Sequence, residues 1–210
     1  MNYLFHNLGR IAGLFFEQFW LCALALAAAL LIALPLAWIL FDHPRLSRPV
    51  LSTLGILYTI PSIALIILLV PTFGLNNTSV FIALVLYCQV LLVRNFLAGL
   101  RNIPAEIREA ALGMGMNRWQ LAFQIEFSLA LPVLIAGVRI AAVVTISIAT
   151  VGAKFGSGGL GVLLFEGISQ YRMDKLWIGT LAISILAVGA YSGLKRLESF
   201  FARQNSPDVS

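Results

Sequence analysis

The residues of this chain that could do chemistry are few and scattered. His6 and His43 stand far apart with no nucleophile beside either, so they make neither a metal site nor an acid–base relay. Cys22 and Cys88 both fall inside apolar runs and read as small buried hydrophobes, not as a disulfide or metal pair. The run "FGSGGLG", Phe155–Gly161, has the glycine density of a phosphate loop. It lacks the Lys-Ser/Thr that follows such loops, and no buried strand precedes it, so nucleotide binding there is not expected. Arg139 lies within an apolar stretch, where an ionisable group is either functional or neutralised by an ion pair or by snorkelling. No pair of carboxylates occurs at comparable depth, which argues against proton pumping. No catalytic set and no metal set emerges.

The elements that hold these residues are hydrocarbon-like. Of 210 residues, 60% are hydrophobic and 11% charged, and the mean hydropathy is +0.94. Soluble domains carry about 25% charged residues, so the chain is an integral membrane protein. Its net charge of +5 fits basic residues flanking apolar spans, and no separate basic domain exists to hold nucleic acid.

Five spanning helices are expected: Glu17–Leu40, Val50–Pro71, Ser79–Leu97, Phe127–Val151 and Leu176–Leu194. The first follows Glu17 and is too long for a signal-peptide core, so it is read as a retained span. "DHPRLSRP" and "PTFGLNNTS" supply the turns between the first three. Pro35 and Pro61 lie within spans and predict kinks. Tyr58, Thr59 and Ser62 are placed to re-satisfy the carbonyl that Pro61 frees, or to face a water-filled path.

With an odd number of spans, one side receives Arg10, Lys154, Arg172 and Lys175. The other receives Arg45, Arg48, Arg94, Arg101, Arg108, Arg118, Lys195, Arg196 and Arg203. The excess makes the second side cytoplasmic, with the N-terminus outside and the C-terminus inside. Trp20 and Trp177 then fall near the outer interface and Trp38 near the inner one.

One segment on the cytoplasmic side looks soluble: "IPAEIREAALGMGMNRWQ", residues 103–120. Pro104 suits a first helical turn, and Glu106 and Glu109 favour the positive end of a helix dipole. Ile103, Ile107, Ala110, Ala111 and Met114 recur at helical spacing as one apolar stripe, with Glu106, Arg108 and Glu109 opposite. Gly113 and Gly115 end or bend the helix. Such a helix could fit a groove on another protein or rest on the membrane surface; the pattern serves either.

"EAALGMG", Glu109–Gly115, resembles the EAA loop of the membrane-spanning subunits of ATP-binding-cassette importers. Glu109, Ala110, Ala111 and Gly115 match that pattern position by position, and Ile125 matches its later aliphatic residue. The Leu-Pro that should follow is replaced by Phe127–Ser128, although Leu131–Pro132 comes shortly after. The resemblance covers about Leu21 to Leu197. "YTIPSIALIILLVPTFGL" and "ALPVLIAGVRIA…IATVGAKFGSGGLG" look like the branch that imports glycine betaine, choline or carnitine. The methionine importer permease shares the five-span plan and the glycine-rich loop and is the near rival.

The resemblance implies an all-α permease of the MetI-like arrangement, a single transmembrane domain over residues 1–210. It implies that residues 103–120 form a coupling helix against a separate cytoplasmic pair of ATP-binding subunits. ATP and Mg would be held there, with no cofactor on this chain. A second permease subunit, identical or paralogous, and an extracytoplasmic solute-binding protein complete the assembly in a bacterial inner membrane. Tyr58, Pro61 and Ser62, with Gly158 and Gly159, are the pathway or gate candidates; close packing at the outer face is the other reading of the glycines. From a different class, an autonomous secondary transporter or channel would use residues 103–120 only as an anchor. Such transporters often show internal repeats and intramembrane charges.

Overall fold

The computed structural model describes residues 6–204 and is helical throughout, with no strand among those residues. Helix α1, Leu8–Asp42, runs for 35 residues, about ten more than a 30 Å hydrocarbon layer with modest tilt needs. Its inner face is Cys22, Ala25, Ala29, Ala33, Ala37 and Leu40, spaced by three and four, and the four alanines are fully buried. Small side chains at that spacing let neighbouring backbones approach closely, which in lipid takes the place of a hydrophobic driving force. Helix α4, Asn77–Arg101, and α6, Phe127–Gly152, pack against this stripe and each other. Around them lie two core clusters, one near Ile66, Leu84, Ile146 and Leu163, the other near Leu92, Phe96, Leu100 and Leu134.

The expected second span is not one kinked helix. It is two helices, α2 (Pro44–Thr59) and α3 (Ser62–Phe73), meeting at 94°. Proline forces the residue before it out of the helical region, and Ile60 is extended (φ −65°, ψ 127°). The exposed Ile60 carbonyl is met from another helix: the Tyr87 hydroxyl of α4 donates to it. The carbonyl that Pro61 frees, that of Leu57, accepts from the Ile60 N–H at 3.3 Å and not from Tyr58, Thr59 or Ser62; Thr59 Oγ1 donates to the Ile56 carbonyl at 2.7 Å. Among the described residues four helices are long and apolar enough to cross a membrane, or five if the bent pair counts as one span.

The last two long helices extend beyond the expected spans. A helical turn, Arg118–Gln120, and a π-helical stretch, Leu121–Glu126, run directly into α6. After a glycine-rich turn come the short α7, Gly161–Ser169, and α8, Met173–Gln204. Both cysteines are buried and free, as their apolar setting predicts. Arg139 is neutralised inside the bundle: Nε lies 3.1 Å from Glu198 and Nη1 donates to the Tyr191 hydroxyl at 2.8 Å, both on α8.

Candidate functional site

The helix between the third and fourth long spans, α5, covers Ala105–Gly113. Pro104 is its N-cap, one place before the first turn, and Glu106 occupies the first turn. The C-terminus closes as a Schellman motif. The Gly115 N–H donates to Leu112 O at 2.9 Å and the Met116 N–H to Ala111 O at 3.2 Å. Gly115 has φ +84°, a conformation that costs a side-chain-bearing residue about 1–2 kcal/mol, so the glycine is the stop of this helix. Asn117 then starts the next segment with a capping box: its Oδ1 accepts from the Gln120 N–H, and Gln120 Oε1 accepts from the Asn117 N–H, both at 2.8 Å.

The apolar stripe is not the buried face. Only Ile103 and Ala111 of that set are buried, while Ile107 is 39% and Met114 73% exposed. Arg108, placed with Glu106 and Glu109 opposite the stripe, turns toward the bundle. Its Nε donates to Glu126 at 2.7 Å and its Nη2 to the Leu100 carbonyl at 2.5 Å. Its guanidinium also stands 4.7 Å from the centre of the Phe41 ring. Glu126, 5% exposed on the π-helical stretch, is the partner that sequence reasoning passed over. The available signal was a carboxylate flanked by Ile125 and Phe127 in an apolar context. The physical reason for the rotation is that a buried carboxylate needs a charged partner more than two alkyl groups need burial. The helix is therefore strapped to the bundle along Arg108 and Ala111. Glu109, Ala110, Leu112 and Met114 face away from it.

At the other end of the bundle the glycine-rich turn hangs on α1. Glu17 Oε2 accepts from the Gly159 N–H at 2.9 Å, and Gln18 Oε1 from the Leu160 N–H at 2.8 Å. Gln18 Nε2 donates onward to Thr150 Oγ1 and the Ile146 carbonyl, at 3.0 and 3.2 Å. Gly158 and Gly159 have φ of +68° and +79°, and a Cβ on Gly158 would collide with the Glu17 carboxylate. Arg10 of α1 and Lys175 of α8 both pair with Glu166 of α7, the latter at 2.7 Å. Those two cations hold the Glu166 carboxyl below the usual carboxylate range. Tyr58, Pro61 and Ser62 lie at the α2–α3 break, remote in sequence from that turn, and the Tyr58 ring meets Tyr87 edge-on at 5.6 Å. Among the described residues no group of His, Cys, Asp and Glu comes together to hold a metal ion.

Known proteins resemble this chain in sequence and in fold. The chain is 39% identical over 193 residues to the osmoprotectant import permease protein OsmW of Salmonella typhimurium, covering 90% of each. It is 32% identical over 174 residues to the carnitine transport permease protein OpuCB of Listeria monocytogenes, covering 83% of this chain and 80% of that one. In fold it resembles a chain of the inward-facing MetNI methionine ABC transporter, with a TM-score of 0.83 at 19% identity over 96% of this chain and 99% of the other. Residues 25–202 match the family described as the binding-protein-dependent transport system inner membrane component. The strapped helix with its glycine stop is thus set in a chain that belongs to that family, the permease subunits of ATP-binding-cassette importers.

Proposed function

We propose that this chain forms half of the translocation pathway of an ATP-driven importer for a quaternary-amine osmoprotectant such as glycine betaine, choline or carnitine. The observation that carries the coupling part is the geometry of α5: pinned to the bundle by Arg108 and Glu126, it turns Glu109, Ala110, Leu112 and Met114 outward. A partner that seats on that face would move the long helix beginning at Arg118 through a short, stiff connection. In this reading Glu109, Ala110, Ala111 and Gly115 are the coupling residues, with Ala111 and Gly115 shaping the helix that Glu109 and Ala110 present. ATP and Mg are bound by a pair of separate cytoplasmic subunits. A second permease subunit completes the pathway, and an extracytoplasmic binding protein delivers the solute.

The same reading counts α2 and α3 as one broken span, giving five spans with the N-terminus outside and the C-terminus inside. It makes residues 1–210 one transmembrane domain in a bacterial inner membrane. The distribution of arginines supports this orientation. We assign the pathway to Tyr58, Pro61 and Ser62, where irregular backbone is tolerated only if it lines a cavity or is buried in protein. Gly158 and Gly159 belong to the fixed side of its gate, in a turn held by Glu17 and Gln18. The solute class rests on the relatives named for osmoprotectant and carnitine transport.

Uptake of labelled betaine, choline, carnitine and methionine by the reconstituted complex tests both parts. ATP-dependent accumulation of a quaternary amine is expected; uptake of methionine alone, or uptake without ATP, overturns the assignment. Glu109→Lys should leave the chain inserted and the ATPase active while solute uptake falls by at least about tenfold, the ratio of ~1.4 kcal/mol of lost coupling. Wild-type uptake by that variant would remove α5 as the coupling element.

A further inference from the structure

Beside the strap, on the outside of the bundle, is a groove of about 570 Å³ between α1 and the segment that leads into α6. Phe96 forms its floor, and Trp38, Trp119 and Phe123 form an aromatic ladder along it. Trp38 stacks on Phe123 at 6.2 Å and Phe123 on Trp119 at 6.0 Å. Trp119 is 74% and Phe123 63% exposed, so this ladder is not core packing. Asp42, at the end of α1, and Arg118, at the start of the facing segment, line the same groove, and neither forms an ion pair among the described residues.

An apolar slot with aromatic walls and one charge of each sign is complementary to a molecule with an apolar tail and a zwitterionic head. Tryptophan rings of this kind sit at the headgroup level of a bilayer. A freely soluble cation would use neither the arginine nor most of the apolar wall. We propose that the groove binds one zwitterionic phospholipid, its ammonium on Asp42, its phosphate on Arg118 and the upper part of its acyl chains along Trp38, Ile39 and Phe123. The same π-helical stretch that carries Phe123 outward carries Glu126 inward to Arg108, so the lipid would buttress the joint from which α5 is strapped. The lipid site does not depend on the transport reading, and the test below involves neither ATP nor solute uptake.

Tryptophan fluorescence of the full chain reports on the site directly. With Trp20→Phe and Trp177→Phe, only Trp38 and Trp119 emit. In vesicles of phosphatidylglycerol, a low mole fraction of acyl-brominated phosphatidylethanolamine should quench about fivefold more than the same fraction of brominated phosphatidylglycerol, the selectivity one close charge pair in water supplies. Asp42→Asn should bring that ratio to about one while emission stays responsive to lipid. Both side chains are exposed and unpaired, so the variant does not threaten folding. Equal quenching by the two lipids in the parent chain would mean bulk lipid only. Absence of quenching would mean protein covers the groove. Relief of quenching by added glycine betaine would make it a solute site. Each of those three results overturns the proposal.

Discussion

The two ends of the bundle are held in opposite ways. At one end the glycine-rich turn is tied by backbone hydrogen bonds to Glu17 and Gln18, and α1, α7 and α8 converge on Glu166. At the other, α5 touches the body through Arg108 and Ala111 and leaves most of its surface open. The first end is over-determined: several contacts would have to fail together before it moves. The second depends on one ion pair, one carbonyl and one ring, so its position can be reset as a unit. The coupling role proposed for α5 requires that asymmetry, because a lever works only against a fixed frame.

Loss of the strap should have the largest effect. Glu126→Ala leaves a mostly buried guanidinium without its carboxylate, and a cost of about 3 kcal/mol is expected. It should appear as a lower Tm in detergent and as faster amide exchange in Ala105–Gly113 than elsewhere. Exchange rising uniformly along the chain would erase the distinction between the two ends.

Glycine substitutions probe the same contrast. A Cβ on Gly161 would drive into the Thr150 carbonyl and stand 2.7 Å from Ala153 Cβ, so Gly161→Ala should destabilise by about 2 kcal/mol. Gly113 has nothing within 4 Å of its Cβ position, and Gly113→Ala should be neutral or stabilise by up to ~1 kcal/mol through helix propensity. Matched thermal melts check both, and similar losses at the two sites would show that α5 is packed as tightly as the frame.

Gln18→Leu should cost about 1–2 kcal/mol by leaving the Leu160 N–H without its acceptor, read from the Tm of the purified chain. The smallest expected effect is on pH. Glu166 has a depressed pKa, so its contribution is present above the usual carboxylate value of 4.5 and is lost as pH falls through the lower folded value. Glu166→Gln should flatten the acid limb of the Tm profile at that end, and an unchanged limb would count against the Arg10–Glu166–Lys175 cluster as a stabilising tie.

Much of this architecture is legible along the chain because hydropathy reports directly on the cost of backbone and charge in lipid. Helices α1, α4, α6 and α8 contain the expected spans, and the Gly115 stop is visible as glycine after an apolar-periodic run. The α2–α3 break was underestimated, because a proline announces a bend but not its angle, which Tyr87 of another helix helps to hold. Which face of α5 meets the bundle was left open, because periodicity marks which residues share a face and says nothing of what stands opposite. Glu126 lies 18 positions from Arg108, and no local pattern joins them. Arg139 gave two neutralising readings; Glu198 and Tyr191, on α8, decided for the internal pair.

Composition and local pattern alone determined that the chain lives in a bilayer, where its long apolar helices lie, and that residues 103–120 hold a polar helix between them. Those properties follow from solvation and backbone conformation, which each residue carries with it. Which side of that helix is bound and which is free, and that Glu17, Gln18 and Glu166 lock the opposite end, were decided only by tertiary packing. Partners distant in the sequence meet there because a charge or a bare peptide group in an apolar interior must find its complement wherever the fold places one.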